Sequence, residues 1–240
     1  MLNGTENSIK YKMTKSFVIT LLDNEMSKTC AKNLQESASF DIEIFPAIIP
    51  DQVDEMMTKY GIQWNYPWTG HQLDIATGLL KTAYATKYPK KRVACFLSHY
   101  TLWKKCAQLS ESFIIFEHDA IVNREIPFDD LEKSKYMVIG LNHPIGATRK
   151  AEKFYSEVLK SNDSIVPVPK IDNDQIPQGL AGNSAYYIKP AGAQKLIDLV
   201  NQYGAFPNDA IMCRQLMPNQ LAVIKPFCTK LQRVPSTTTL

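Results

Sequence analysis

The segment Phe113–Ala120, FIIFEHDA, runs from four apolar residues straight into Glu117, His118 and Asp119. Two carboxylates and an imidazole are groups that hold a divalent cation. Mg²⁺ or Mn²⁺ takes one or two protein carboxylates and completes its shell with substrate phosphates and water. The same tripeptide also reads as a set of solvated charges terminating a strand. What bears on the choice is where the chain presents it, because in open α/β sheets ligands bind in the crevice beyond the carboxyl ends of the strands.

The elements around the tripeptide fit such a sheet. Ser16–Leu22 (SFVITLL) is an apolar run of strand length ended by Asp23-Asn24. A helix carrying Met26, Leu34 and Ala38 follows it, and Ile42–Ile49 (IEIFPAII) is a second strand interrupted by Pro46, which together begin a βαβ unit. Such units build parallel sheets with strands apolar on both faces. The spacing of Phe96, Tyr100, Trp103 and Ala107 predicts a helix over 94–109, just before the acidic strand. Further strands are expected at 136–139, 184–188 and 221–224. Helices are expected through Ala151–Leu159 and from Pro190, whose missing N–H costs nothing in a first turn. Residues 61–70, GIQWNYPWTG, read as a structured loop.

The expectation is a single α/β domain over 16–240, a mostly parallel Rossmann-type sheet with helices on both faces, preceded by a loose tail over 1–15. Its 240 residues carry 27 Lys+Arg against 24 Asp+Glu, a net charge of +3. That balance gives no reason to expect nucleic acid as a partner. Apolar residues at 45% and charged residues at 21% exclude collagen, coiled-coil, disordered and disulfide-scaffold classes. Five widely spaced cysteines without a CxxC pair resemble neither a disulfide framework nor a zinc site. The polar start, MLNGTENSIKYKMTKS, has no signal-peptide core, and no apolar run approaches the ~18 residues that span a bilayer. A reducing, cytoplasmic setting follows. The patterns Asn3-Gly4-Thr5 and Asn162-Asp163-Ser164 match glycosylation acceptors but carry no meaning there.

Four further segments accompany FIIFEHDA: ACFLSHYTLW (94–103), GNSAYYI (182–188), PAGAQKLI (190–197) and FPND (206–209). In this order and at these spacings they resemble glycosyltransferase family 25, the group of bacterial lipo-oligosaccharide galactosyltransferases and collagen galactosyltransferases. FVITLLDNEMS and EIFPAI are similar to the family's opening strand and its "FPA" strand, so the resemblance spans roughly residues 16–236. LSH…LW and AYxI…GAxKL are its most specific parts. The resemblance implies the GT-A fold and transfer of a hexose, galactose favoured, from a nucleotide donor, UDP-linked, with inversion. The acceptor would be a glycan or lipid-linked saccharide.

Roles follow position by position. Glu117-His118-Asp119 stands where the family has Glu-Asp-Asp, so Asp119, with Glu117 and His118, is expected to hold Mn²⁺ or Mg²⁺. Glu117 would alternatively touch the donor ribose, and the metal would neutralise the diphosphate leaving group. Histidine at the middle position serves Mn²⁺ better than Mg²⁺. Asp209, in the family's Pro-x-Asp turn, is the expected base for the acceptor hydroxyl; a plain helix cap by Asn208 or Asp209 is the other reading. Gly182 and Asn183 form a glycine loop where a sugar can approach the backbone, or simply a turn. Ser98 and His99 are donor-site candidates, although a helical histidine is more often a packing or surface residue. Asp23 would hydrogen-bond the nucleotide, but Asn24 stands where the family has an arginine.

Trp64, Tyr66 and Trp68 read as a small core under a loop or as a sugar-stacking surface. The cluster Lys87–Arg92, KYPKKR, reads as a solvated turn or as a contact for an anionic acceptor or a membrane surface. Two other readings compete with transfer: a relative that binds nucleotide-sugar or carbohydrate without turnover, and a nucleotidyl- or methyltransferase. The absence of a GxGxxG or Walker A loop after any expected strand argues against the latter.

Overall fold

The computed structural model describes residues 14–148 and 150–237. Thr14 and Lys15 are thus the only part of the expected 1–15 tail that is described, and Lys15 already belongs to a strand. The rest of that tail, with Asn3-Gly4-Thr5, lies outside the described residues. In chain order the elements are β1 (Lys15–Thr20), α1 (Glu25–Ser37), β2 (Glu43–Pro46), α2 (Val53–Tyr60), β3 (His71–Asp74), β4 (Leu79–Thr82), α3 (Pro89–Leu109) and β5 (Phe113–Glu117). There follow β6 (Ala120–Val122), α4 (Phe128–Lys133), β7 (Val138–Gly140), α5 (Ala151–Leu159), β8 (Ile165–Pro167) and β9 (Ala185–Ile188). The chain closes with α6 (Pro190–Tyr203), α7 (Asn208–Ile211), β10 (Leu221–Ile224) and β11 (Thr229–Leu231).

Seven strands form the central sheet in the order β2-β1-β5-β9-β7-β10-β8. β2, β1, β5, β7 and β10 share one direction, while β9 and β8 run against it. The mostly parallel expectation therefore holds for strand direction. β9, however, sits antiparallel between β5 and β7 and splits the parallel set.

Side chains of each strand alternate between two cores. Phe17, Phe113, Ile115, Tyr186 and Ile188 enter one, with Phe96, Tyr100 and Trp103 of α3 and Leu196 and Val200 of α6. Val18, Ile114, Phe116, Ala185 and Tyr187 enter the other, with Ala31 and Leu34 of α1 and Leu131 of α4. Helices therefore cover both faces, as two-sided apolar strands demand. No helix among the described residues is long and apolar enough to cross a membrane.

Local chemistry sets the boundaries nearest the site. Asn24 accepts the Ser27 N–H (2.9 Å) and caps α1 just past β1. Pro89 opens α3 five residues before the expected start at Ala94, so Lys90, Lys91 and Arg92 lie on its first turn rather than in a free turn. The β3–β4 hairpin is anchored by Lys81, which is fully buried. Its Nζ lies 2.6 Å from Asp74 Oδ2, donates to Asn65 O at 2.6 Å and sits 3.7 Å from the centre of the Phe206 ring.

Candidate active site

β5 lies between β1 and β9, with Ile19 opposite Glu117 and the Glu117 N–H donating to Ser184 O (2.8 Å). The acidic tripeptide thereby opens at the carboxyl end of two parallel strands, where an α/β sheet binds ligands. A cavity of about 590 Å³ opens there. Glu117, His118 and Asp119 line it together with Asn24, Ile48, Lys91, Cys95, Ser98, His99 and the segment 231–237. Gln232 braces the tripeptide: its backbone N–H donates to Asp119 O, and its side-chain amide donates to the carbonyls of Cys30, His118 and Ala120.

Glu117 is held from below by a buried relay. Trp103 donates Nε1–H to Tyr186 Oη (2.8 Å), Tyr186 Oη lies 2.9 Å from His99 Nδ1, and His99 Nε2 lies 3.1 Å from Glu117 Oε1. Tyr186 has one hydroxyl hydrogen. With its oxygen taking the indole N–H, that hydrogen goes to Nδ1, so the imidazole keeps its proton on Nε2 and donates to the carboxylate. This arrangement satisfies every polar group of the relay. Burial pushes the Glu117 carboxyl up, but the His99 hydrogen bond and the neighbouring imidazoles bring it below the ordinary value.

Asp119 behaves in the opposite way. Burial, with the Glu117 charge added, pushes its carboxyl up to about 7, and its Oδ1 is buried without a hydrogen-bond partner. Burial lowers His118, which Glu117 partly offsets. Glu117 is thus the stronger acid of the two and Asp119 the weaker. Divided pKa values between paired carboxylates mark sites that handle charge.

Asp119, with Glu117 beside it, offers oxygen atoms that could hold a cation. An orphaned, buried carboxylate oxygen facing a cavity is a hard donor of the kind Mg²⁺ or Mn²⁺ takes. Cys95, His99 and Glu117 also bring ligand atoms within 4.8 Å of one another. They do not suit a metal, because burial holds the Cys95 thiol well above its usual value and both His99 nitrogens are engaged.

α7 places two consecutive side chains in different surroundings. Asn208 is buried, with Cys95 Sγ 4.0 Å from its Oδ1, and it hydrogen-bonds Glu117. Asp209 instead lines a second cavity of about 420 Å³. Its carboxyl is raised: desolvation pushes it up, Arg92 pulls it down, and Glu117 adds to the rise. Tyr84 hydrogen-bonds it. The plain-cap reading is corrected, because Pro207 occupies the cap and no side chain bonds the free N–H groups there.

Other expected contacts are displaced. Asp23 is exposed and off the donor cavity, because the turn after β1 sends Asn24 to its wall instead. Ser98 and His99 do reach that wall, but both are buried and committed to protein. Ser98 donates to Ala94 O and accepts the Ile48 N–H, which ties the exit of β2 to α3. Gly182 and Asn183 are not on that wall. At Gly182 φ is +82°, and an added Cβ would come within 2.7 Å of Ala147 Cβ, so packing demands glycine. Asn183 is buried, and both atoms of its amide lack a hydrogen-bond partner among the described residues.

Trp64 and Trp68 stack in parallel, with centroids 5.1 Å and planes 6° apart, while Tyr66 is buried beside Phe206. Tyr66 and, in part, Trp64 pack onto the main core while Trp68 stays exposed, and of the three aromatics only Tyr66 lines one of these two cavities. Two wall elements escaped the sequence reading: Lys91 of the basic cluster and the segment 231–237. The first was visible as a charge but lacked a helix to place it, and the second carries no local signal.

The sequence model of Glycosyltransferase family 25 (LPS biosynthesis protein) matches residues 13–212. No curated protein sequence matches the chain. Twenty-three solved chains match its structure. Among them is mouse xyloside xylosyltransferase 1 in its apo form, at 10% identity and a TM-score of 0.44, with 88% of this chain and 85% of that chain covered.

Proposed function

We propose that this chain, which belongs to glycosyltransferase family 25 and is a glycosyltransferase, moves a hexose from a UDP-linked donor to a hydroxyl of a glycan or lipid-linked saccharide, with inversion. Galactose is the favoured sugar by family resemblance, and the family's description points to lipopolysaccharide as the end product. The nucleotide diphosphate sits in the cavity at the end of β5, with Glu117 and Asp119 at its phosphate end. Lys91 on the same wall supplies a cation in place of the arginine the family carries after Asp23. Asn24, Ser98, His99 and Gly182–Asn183 shape the surroundings rather than grip the donor.

Asp119, with Glu117 and His118, is the place for Mn²⁺ or Mg²⁺; a bound cation neutralises negative charge on the departing diphosphate. The chain's own residues do the rest. The His99 relay holds Glu117 ionised. Asp209 takes the proton from the acceptor hydroxyl as that oxygen bonds the anomeric carbon and the bond to the diphosphate oxygen breaks. A raised pKa makes Asp209 a stronger base for this task.

The observation that carries the reading is the pairing of a charge-divided acid pair in one cavity with a raised Asp209 lining the other. Five free cysteines, four of them buried, support a reducing, cytoplasmic location. The test is UDP release from UDP-galactose with and without Mn²⁺ by the wild type and Asp119→Ala. Metal-dependent release lost in the variant supports the reading. Full activity of Asp119→Ala in the presence of chelator removes the metal role.

A further inference from the structure

We propose that the second cavity seats the acceptor and is shaped for a short, neutral saccharide. The assignment rests on the reading of Asp209 as the base. At about 420 Å³ the cavity falls within the range of small-molecule clefts. Asp209 is on its wall and absent from the wall of the donor cavity, whereas Asn208 before it turns toward Cys95 and Glu117. α7 thus stands between the two cavities, with Asn208 against Cys95 and Glu117 of the donor wall and Asp209 on the wall of the other, which is the relation a base needs between an acceptor hydroxyl and a donor carbon.

Its chemistry suits a sugar. Tyr66 and Tyr84, with ring centroids 5.7 Å apart, line the cavity beside Leu80, Phe154 and Ile176. Aromatic and aliphatic walls pack against pyranose C–H faces, and phenol hydroxyls meet ring hydroxyls. Burial, followed by the Asp209 charge, pushes Tyr66 up to about 12 and Tyr84 well above its ordinary value, so both remain hydroxyl donors. Tyr84 bonds both Tyr66 and Asp209. The aromatic wall of the cavity therefore bears directly on the base.

The charges select against an anionic guest. Lys150 on the wall is paired with Asp172, also on the wall, and Arg92 offsets Asp209, so among the described residues the space presents no uncompensated cation to hold an anionic guest. The walls are also fixed in advance. Buried Lys81 pins β4, and Gln178 accepts the N–H groups of Ile171 (2.8 Å) and Asp172 (3.2 Å) and donates to Asp172 O and Asn173 O. A site held by its own hydrogen bonds is ready before the ligand arrives.

The test is saturation-transfer NMR on the full chain with methyl β-galactoside, methyl β-glucoside and methyl β-glucuronide as probes. It is run on the wild type and on Thr148→Trp, which fills the cavity rim from an exposed position. Calorimetry with UDP and Mn²⁺ runs in parallel. The expected result is transfer to a neutral glycoside, undiminished by UDP and lost in Thr148→Trp, with UDP affinity unchanged by the substitution. The proposal is overturned if neutral glycosides give no signal, if UDP displaces them, if Thr148→Trp leaves them bound, or if the glucuronide is preferred. Failure of UDP to bind, with the glycosides behaving as expected, sinks the donor assignment and leaves this one standing.

Discussion

The cavity at the end of β5 is walled by strand ends and by one flank of α3, whereas the cavity facing Asp209 is walled by a hairpin, by the loop residues Ala147, Thr148 and Lys150 ahead of α5, and by the irregular stretch over 169–180. The first inherits its shape from the central sheet: moving Glu117 means moving β5 within a parallel pair. The second is held by individual side chains, Lys81 and Gln178 above all, each bridging segments far apart in the chain. The contrast suggests a division of labour. A shared diphosphate chemistry is placed on the sheet, and the variable partner on loops that can change without disturbing it.

Asp209, between the two halves, gives the largest expected effect. Asp209→Asn lowers transfer by about 10²- to 10⁴-fold, the usual share of a positioned base, while UDP affinity stays at the wild-type value. Steady-state kinetics with calorimetry checks this, and an equal loss of UDP binding would place Asp209 in the donor half instead.

The loop-built half is also the easier to loosen. Lys81→Met leaves Asp74, itself nearly buried, without its partner, and breaking such a pair costs about 3–5 kcal/mol. Thermal melting reads this as roughly 2–4 °C per kcal/mol. If the halves are as separable as their construction implies, the surviving folded protein keeps UDP affinity and loses glycoside binding.

Tyr186→Phe probes the sheet-built half. It strands the Trp103 N–H and the Nδ1 of His99 in the core, at about 1–3 kcal/mol. With the tautomer of His99 no longer fixed, donor affinity falls more than acceptor affinity. A variant that melts lower yet binds UDP as well as the wild type would reduce the relay to packing.

The smallest effect is in pH dependence. Asp209 has a raised folded-state pKa, so the acid limb of kcat/KM lies above the ordinary carboxylate range. For stability the sign runs the other way. The contribution of such a group is full below its unfolded pKa and fades as pH rises through the folded value. Asp209 is exposed, so solvent screens most of this contribution: Asp209→Asn melts level with or slightly above the wild type at neutral pH, and any gap closes on acidification. A variant that melts lower at neutral pH would contradict the shift.

The same contrast explains what was legible in the sequence. β1, β5 and α3 announce themselves because buried parallel strands are continuous apolar runs and a long helix repeats its core residues. Both helix faces and the position of the acids followed from that. The hairpin was invisible because HQLD and LLKT lack a clear alternation, and because nothing local marks the charged Lys81 as a residue buried against Phe206. The β6–β11 pair joins three-residue strands from distant parts of the chain, and the hold of Gln232 on the acidic turn depends on that pairing. His99 shows a third case. The family resemblance made it a donor-site candidate, but only its two hydrogen bonds separate a ligand contact from a brace. Asp23 and Asn24 differ by the direction of one turn, which composition does not encode.

The central claim is that Asp119 sits at the phosphate end of a metal-assisted donor site. Calorimetric titration of UDP into wild type and Asp119→Asn, each with and without Mn²⁺, tests it most directly. The account predicts that Mn²⁺ tightens UDP binding in the wild type by about tenfold or more, equivalent to about 1.4 kcal/mol, and leaves the variant unchanged. Equal tightening in both proteins, or binding indifferent to the metal in the wild type, would contradict it.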